Sequence, residues 1–289
     1  MGRIDDPEHV VDTLLAWGLG SLRDLPWRRT RDPWTILVSE VMLQQTSVAR
    51  VLPKFEAFMD RFPTPHAMAA APLGDALALW SGLGYPRRCR NLHAAATAIV
   101  RAHGGSVPTG LDELLALPGV GAYTARAVAC FAHGEVVAVV DTNVARMLSR
   151  LTGEPMKAGH LQQVADDLVP RDAAWEWNQI VMDFGARQCV ARAPKCADCV
   201  LVAGCSWRGE GEDPARGSAM VSRPQARFEG SDRQARGRAV RAVVEGASRH
   251  RDVVAAMGLD GDIARAEALL DDLVSEGLLR RGSGGFALP

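Results

Sequence analysis

The 289-residue chain contains no uncharged apolar stretch that approaches the length of a membrane span. Its first ten residues place Arg3, Asp5, Asp6 and Glu8 where an export signal needs an apolar core. The expectation is a cytoplasmic globular protein with no membrane partner. No alternating apolar run is long enough to require a sheet. An excess of either charge is also missing: 33 basic and 34 acidic side chains leave a net charge of -1, so nucleic acid is neither demanded nor excluded, and only clustering of the positive residues can decide. What is present is a 47% hydrophobic content, enough to bury a sizeable core. There are six cysteines, and four of them, Cys189, Cys196, Cys199 and Cys205, crowd into seventeen residues. Without an export signal, such crowding points to a metal site rather than to disulfides.

From Pro7 to about Ser206 apolar residues recur every three or four positions, with Gly or Pro between segments. The periodicity predicts helices over Ile36 to Val51, Leu73 to Leu79, Asn91 to Val100, Leu111 to Leu115 and Ala122 to Phe131, so the fold class is all-α. The stretch 209–230 turns to Gly, Glu, Asp, Ser and Arg and reads as a linker too polar to order itself. Beyond it, in 231–289, Arg238 to Val244, Asp252 to Met257 and Asp262 to Glu276 read as short helices, the last with Asp262 as N-cap. Leu278 to Arg281 and Phe286 to Leu288 flank a glycine-rich turn and could pair as a hairpin, a pattern that suggests a small winged-helix-like module and that a plain helical tail would share.

Three features carry chemistry. The spacing Cys189-x6-Cys196-x2-Cys199-x5-Cys205 suits four thiolates on either a zinc ion or an iron-sulfur cluster, a closed site with a structural role. In Leu117-Pro118-Gly119-Val120-Gly121, two glycines one residue apart allow a tight hairpin whose amide N–H groups approach a phosphate, ahead of a helix N-terminus. Two carboxylates stand at helix-associated positions. By local pattern alone Asp141 is a helix N-cap and Glu40 a solvated first-turn glutamate.

Several motifs occur in order: Leu25-Pro26-Trp27-Arg28, Ser39-Glu40-Val41-Met42-Leu43-Gln44-Gln45-Thr46, Trp80-Ser81-Gly82-Leu83-Gly84-Tyr85, Asn91-Leu92-His93, the glycine hairpin, Val140-Asp141-Thr142-Asn143, and the cysteine loop. Together, from about Leu25 to Cys205, they resemble the endonuclease III superfamily of DNA glycosylases, and within it the MutY-type adenine glycosylases. The resemblance implies a two-subdomain helix-hairpin-helix core over 1–208, with a six-helix barrel at about 30–137 and an iron-sulfur helical subdomain from 1–29 and 138–208. It favours a [4Fe-4S] cluster over zinc. It makes Glu40 the general acid that protonates adenine N7, and Asp141 the carboxylate that stabilises an oxocarbenium-like sugar. Tyr123 and Asn143 would hold the sugar and the attacking water. Trp27 and Arg28, with Asp183, would line the base pocket. Gln45 and Tyr85 would wedge into the stack, with Thr46 and Leu83 touching the opposite guanine, and Leu117, Gly119, Val120 and Gly121 would grip phosphate.

Tyr123 stands where the bifunctional relatives carry a Schiff-base lysine, and the chain has only Lys54, Lys157 and Lys195, so a monofunctional enzyme is expected. The implied partner is nucleoid DNA with a mispaired or damaged base, bound by a monomer. Many MutY proteins continue into a Nudix-like domain that reads 8-oxoguanine; here only about 80 residues follow the cysteine loop, without that domain's acidic signature. From Val221 to Arg251 eight Arg face three Asp or Glu, which suggests a segment lying along DNA. The rival readings are a thymine or uracil glycosylase for T:G or U:G mismatches, against which Leu43-Gln44-Gln45-Thr46 argues, and a non-catalytic iron-sulfur DNA-binding protein, against which retention of Glu40 and Asp141 argues.

Overall fold

A computed structural model describes residues 4–222 and 226–289. The described helices are α1 (Pro7–Gly18), α2 (Pro33–Leu43), α3 (Val48–Arg61), α4 (Pro65–Ala70), α5 (Leu73–Trp80), α6 (Arg87–His103), α7 (Leu111–Leu115), α8 (Ala122–His133), α9 (Thr142–Thr152), α10 (Ala158–Asp167), α11 (Ala174–Arg187), α12 (Asp232–Val244), α13 (His250–Met257) and α14 (Ile263–Ser275). A two-stranded antiparallel hairpin, β1 (Arg280–Gly282) and β2 (Gly285–Ala287), is the only sheet among the described residues. Several starts share one device. Asp6, Asp32 and Thr64 each cap a helix whose first residue is proline, so the side-chain oxygen accepts an orphan N–H and the fixed φ of proline fits the first turn.

The chain divides into two compact units. One joins the residues up to Arg31 with those that begin at Ala122 and run to Ser222; the other joins Asp32–Gly121 with the residues from Ala226 onward. The division therefore groups α8 with the cysteine loop, whereas the sequence put that boundary near residue 137, and it groups the C-terminal module with Asp32–Gly121.

In the first unit α9 and α11 pack around Val144, Leu148, Leu151, Ile180 and Phe184. The contact is close because Gly185 carries no side chain: a Cβ there would stand 2.7 Å from the Asn143 carbonyl oxygen. Part of the expected linker belongs to this unit. Asp213 caps a 3-10 turn at Pro214–Gly217 by accepting from Ala215 N, and pairs with buried Arg150 at 2.7 Å. Ser218 Oγ accepts from Met156 N. The polar composition concealed this order because the segment is held by specific donors together with only two buried apolar residues of its 3-10 turn, Pro214 and Ala215. The centre of the expected linker, 223–225, lies outside the described residues.

In the second unit the predicted helix from Ile36 to Val51 is two helices, broken at Gln44–Ser47, where Gln45 takes a left-handed backbone with φ 53°. Glu40 is consequently near the end of α2 and buried, 5% exposed, not a solvated first-turn residue. The C-terminal module forms its three helices and hairpin, with Asp262 capping α14 and Arg281 opposite Phe286. An antiparallel bridge joins Arg249, just before α13, to Gly285 of the hairpin. Several arginines of the segment read as lying along DNA are engaged within the protein: Arg233 with the Tyr85 hydroxyl, Arg236 with Glu276, Arg241 with Glu245 and Arg251 with Asp252. Arg223 lies outside the described residues.

Candidate functional site

The first unit carries Asp141 at the mouth of α9. Its Oδ1 accepts from Asn143 N and Val144 N, both at 2.8 Å, so the expected N-cap is present. Its Oδ2 accepts from the Asn143 amide at 2.7 Å, which places Asp141 and Asn143 side by side. The protein surround pushes the Asp141 carboxyl above its usual range, and this burial outweighs the N–H groups, the Asn143 amide and Arg146, all of which pull it down. The sequence had the helix terminus holding this group ionised. Neutral donors do not offset so much desolvation.

Arg146, one turn along α9, bonds Asn143 Oδ1 and Gly185 O through Nη2 at 2.9 and 2.6 Å, and Cys189 O through Nε at 2.9 Å. Arg150, one turn further and 2% exposed, reaches Cys189 Sγ at 3.5 Å and the carbonyls of Val190 and Ala191. Two arginines four residues apart on a largely buried helix are the signal the sequence reading passed over. They tie the start of the cysteine loop to the helix that presents Asp141.

Cys189, Cys196, Cys199 and Cys205 are all thiols without disulfides. Burial, and then the neighbouring Cys189, Cys205 and Cys196, push the Cys199 thiol up, with the Leu201 N–H opposing, so the four sulfurs sense one another. Arg208 N also points at Cys205 Sγ, 3.5 Å away. Yet among the described residues no three ligand-type side chains converge closely enough for a single ion, which would draw each sulfur to about 2.3 Å from one centre. The donor set, four free cysteines on one loop, is of a chemistry that suits an iron-sulfur cluster or a zinc ion.

Trp27 and Arg28 lie in a 3-10 turn, Pro26–Arg28, and are both largely buried. Asp183 is fully buried. Its Oδ1 takes Arg23 Nε, Arg23 Nη2 and Arg28 Nη2 at 2.8, 2.6 and 2.8 Å, and its Oδ2 takes Arg28 Nη1 at 3.0 Å and Arg23 N at 3.1 Å. Although burial alone would raise it, the two guanidiniums hold this carboxyl down at about 2. Asp183 thus anchors Arg28 and Arg23 instead of presenting itself to a base, a correction to its place in the pocket lining. Tyr123 is half-buried in the first turn of α8.

The second unit carries the glycine hairpin. Leu117 and Val120 are buried anchors, while Gly119 and Gly121 are exposed. Gly119 has φ 79°, and a Cβ on it would stand 2.6 Å from Asn91 Cβ; beside Gly121 there is open space. The turn therefore needs glycine at the first position and leaves its backbone accessible at the second. The helix before it starts after Gly110, without a side-chain cap.

Gln45, Thr46, Leu83 and Tyr85 come together. Thr46 Oγ1 donates to the carbonyls of Gln44 and Leu83, both at 3.3 Å, and Arg88 Nη2 bonds Thr46 Oγ1, Leu83 O and Gly84 O. The Leu83 side chain is 2% exposed, so it supports the turn from inside instead of facing outward. Gln44, Gln45, Tyr85, Arg87, Arg88 and Asn91 line a cavity of about 230 Å³.

Residues 38–171 match the family model described as HhH-GPD superfamily base excision DNA repair protein. The chain is 44% identical over 300 residues to the adenine DNA glycosylase of Mycobacterium tuberculosis, an alignment covering 99% of this chain and 96% of that one. It is 35% identical over 209 residues to the thymine/uracil-DNA glycosylase of Methanothermobacter thermautotrophicus, covering 68% of this chain and 92% of that one. A solved thermostable thymine-DNA glycosylase superposes with TM-score 0.68 and 32% identity, over 70% of this chain and 96% of that one.

Proposed function

The chain belongs to the HhH-GPD superfamily of base excision DNA repair proteins, and from that premise we propose that it is a monofunctional adenine DNA glycosylase, hydrolysing the glycosidic bond of adenine opposite 8-oxoguanine or guanine. The observation that carries the choice of base is the likeness to an adenine glycosylase along the whole chain, C-terminal module included. The likeness to thymine/uracil enzymes stops at about two thirds of it.

The residues divide the work as follows. A duplex hides the sugar C1′, so the nucleotide must leave the stack, at a cost of a few kcal/mol that protein contacts offset. The exposed backbone of Gly119 and Gly121 binds phosphate and fixes register without reading sequence. Buried Glu40 is the proton donor to adenine N7, making the base a better leaving group. Asp141 faces the positive charge that develops on the sugar. The donors bonded to its carboxylate are neutral, and Arg146 acts on it through Asn143, so the negative charge stays available to the sugar cation. Asn143 and Tyr123 hold sugar and water, Trp27 and Arg28 receive the base, and Gln45, Thr46 and Tyr85 face the opposite strand, on a turn that buried Leu83 supports from inside. Cys189, Cys196, Cys199 and Cys205 would hold a [4Fe-4S] cluster, whose four iron–thiolate bonds would lock the loop that Arg146 and Arg150 grip. The protein acts as a monomer.

Matched duplexes bearing A:8-oxoG, A:G, T:G and U:G, resolved with and without alkali, test the reading. Abasic product from the adenine duplexes, broken only by alkali and with little borohydride trapping, is the expected result. Excision confined to T:G and U:G would overturn it, and trapping comparable to a lyase would overturn the monofunctional part.

A further inference from the structure

Two residues other than glycine hold a left-handed backbone beside one cavity. They are Gln45, with φ 53°, and Tyr85, with φ 50°, and they share its lining with Gln44, Arg87, Arg88 and Asn91. Strain of this kind persists where the surroundings over-determine it, and it clusters at binding sites. The lining is rich in amides, guanidiniums and a phenol, groups that hydrogen-bond the edge of a planar heterocycle and stack on its face.

Arg88 is the floor of this arrangement. Its Nη1 donates to Val41 O and Met42 O, in the last turn of α2, at 2.8 and 2.9 Å, while its Nη2 bonds the two turns. Its guanidinium carbon also stands 5.6 Å from the centre of the Tyr85 ring. The rest of the support comes from the C-terminal module. Arg233, near the start of α12, donates from Nη1 to the Tyr85 hydroxyl at 2.8 Å. Its guanidinium carbon lies 5.7 Å from the Tyr85 ring centre and 5.2 Å from that of exposed Phe228. At the end of α14, Glu276 bonds Arg87 Nη2 at 2.6 Å and Arg236 Nη2 at 2.7 Å, and its carbonyl takes Arg90 Nη1. Two of the six lining residues, Tyr85 and Arg87, are therefore held from the module.

We infer that the winged-helix module is part of the site that reads the base opposite the excised one, with Arg233 the positioning residue that fixes Tyr85 and Glu276 the one that fixes Arg87. This rests on the reading above that Gln45, Thr46 and Tyr85 face the opposite strand. The usual use of such a module, placing its third helix in a major groove, is disfavoured by charge: α14 carries Glu267, Asp271 and Asp272. The hairpin arginine Arg281 is already paired with Asp271 at 2.8 Å and with Glu267 at 3.6 Å.

The test uses the full chain with Arg233→Ala, Arg233→Lys, Glu276→Gln, Tyr85→Phe and the double variant Tyr85→Phe/Arg233→Ala. Arg241→Ala, on the same helix but paired with exposed Glu245, is the control. Two quantities are read: the ratio of single-turnover excision from A:8-oxoG over A:G, and the fluorescence change of 2-aminopurine in the opposite-base position of a duplex carrying an uncleavable adenine analogue. Arg233→Ala should change the ratio fivefold or more and lose most of the fluorescence response, with melting temperature and affinity for fully paired duplex unchanged. Lysine should restore part of both, because it keeps a donor and a cation but not the planar stack. In the Tyr85→Phe background the same change should add little, since Arg233 acts through that hydroxyl. A wild-type ratio and response in Arg233→Ala, or full additivity with Tyr85→Phe, would overturn the inference; should Arg233→Ala fold poorly, the same readouts on Arg233→Lys and Glu276→Gln decide it. If the wild type excises no adenine, the glycosylase reading fails separately, and the fluorescence arm still decides whether the module positions this site.

Discussion

Replacing Asp183 by Asn removes one negative charge from between two guanidiniums while keeping the shape of the side chain. In the native protein this carboxylate is fully buried, accepts five hydrogen bonds and has its carboxyl held at about 2 against an ordinary 3.8. The lowered ionisation by itself corresponds to about 2 kcal/mol at neutral pH. The substitution costs more, because buried Arg28 is left without its counter-ion, and breaking a buried pair from one side costs ~3–5 kcal/mol. Arg23 is 35% exposed and can turn its charge toward water, so the lower end, about 3 kcal/mol, is the expected loss. At ~2–4 °C per kcal/mol for a chain of this order of size, the melting temperature at pH 7 should fall by roughly 6–12 °C. The pH dependence has a fixed sign. A carboxyl depressed by folding contributes stability that is complete above its unfolded value and fades as pH falls through the folded one. The gap between wild type and variant should therefore stay constant from pH 7 to about 4 and narrow toward pH 2. Thermal melts followed by circular dichroism across that range measure it. A variant melting within about 1 °C of wild type at pH 7, or a gap that does not narrow below pH 4, would show that the arginines do not depend on this carboxylate.

Three further outcomes are expected. Asp141→Asn keeps the cap, since Asn caps about as well as Asp, but removes a charge that burial disfavours; it should lose excision while melting no lower than wild type at pH 7, with any gain in stability vanishing as pH falls below the ordinary carboxylate range. A clear drop in melting temperature with excision retained would make this carboxylate a helix cap only. Glu40→Gln should lower the single-turnover rate on adenine by at least ~10²-fold with duplex affinity preserved, and near-normal excision would remove it from the chemistry. The purified protein should be yellow-brown with about four irons per chain, lost in Cys199→Ser, whereas a colourless protein with one zinc would refute the cluster.

Helix content, the hairpin, the cap at Asp141 and the C-terminal helices were legible because each rests on a local rule: 3.6-residue periodicity, glycine at a left-handed turn, a short polar side chain before a helix. The break at Gln44–Ser47 was not, because a run of residues compatible with helix gives no warning that Gln45 will take φ 53°. That turn is fixed by Arg88, more than forty residues later, donating to carbonyls in the last turn of α2. The ordering of Asp213 by Arg150 and of Tyr85 by Arg233 escaped for the same reason. Arginine reads as surface in a sequence, yet here a fixed planar fork with five donors collects backbone carbonyls from segments far apart in the chain. The residues proposed for chemistry were legible as motifs. What holds them in place was not.

Asp141 and Asp183 show why those two classes differ. Both are aspartates of the first unit, Asp183 fully buried and Asp141 half-buried, yet folding moves their carboxyls in opposite directions. Asp183 receives two guanidiniums directly, so Coulomb attraction and charge-assisted bonds outweigh desolvation and its charge is fully committed. Asp141 receives two backbone N–H groups and an amide, all neutral, while the nearest guanidinium, Arg146, bonds to Asn143 instead of to the carboxylate. Placing Arg146 one residue closer would hold Asp141 ionised more firmly but would also neutralise it, and an oxocarbenium-like sugar would then meet an ion pair in place of an anion. Routing the guanidinium through Asn143 fixes the geometry of the carboxylate without cancelling its charge. The raised carboxyl is the physical consequence of that arrangement: a group whose best counter-ion is the transition state itself is under-stabilised until that cation forms.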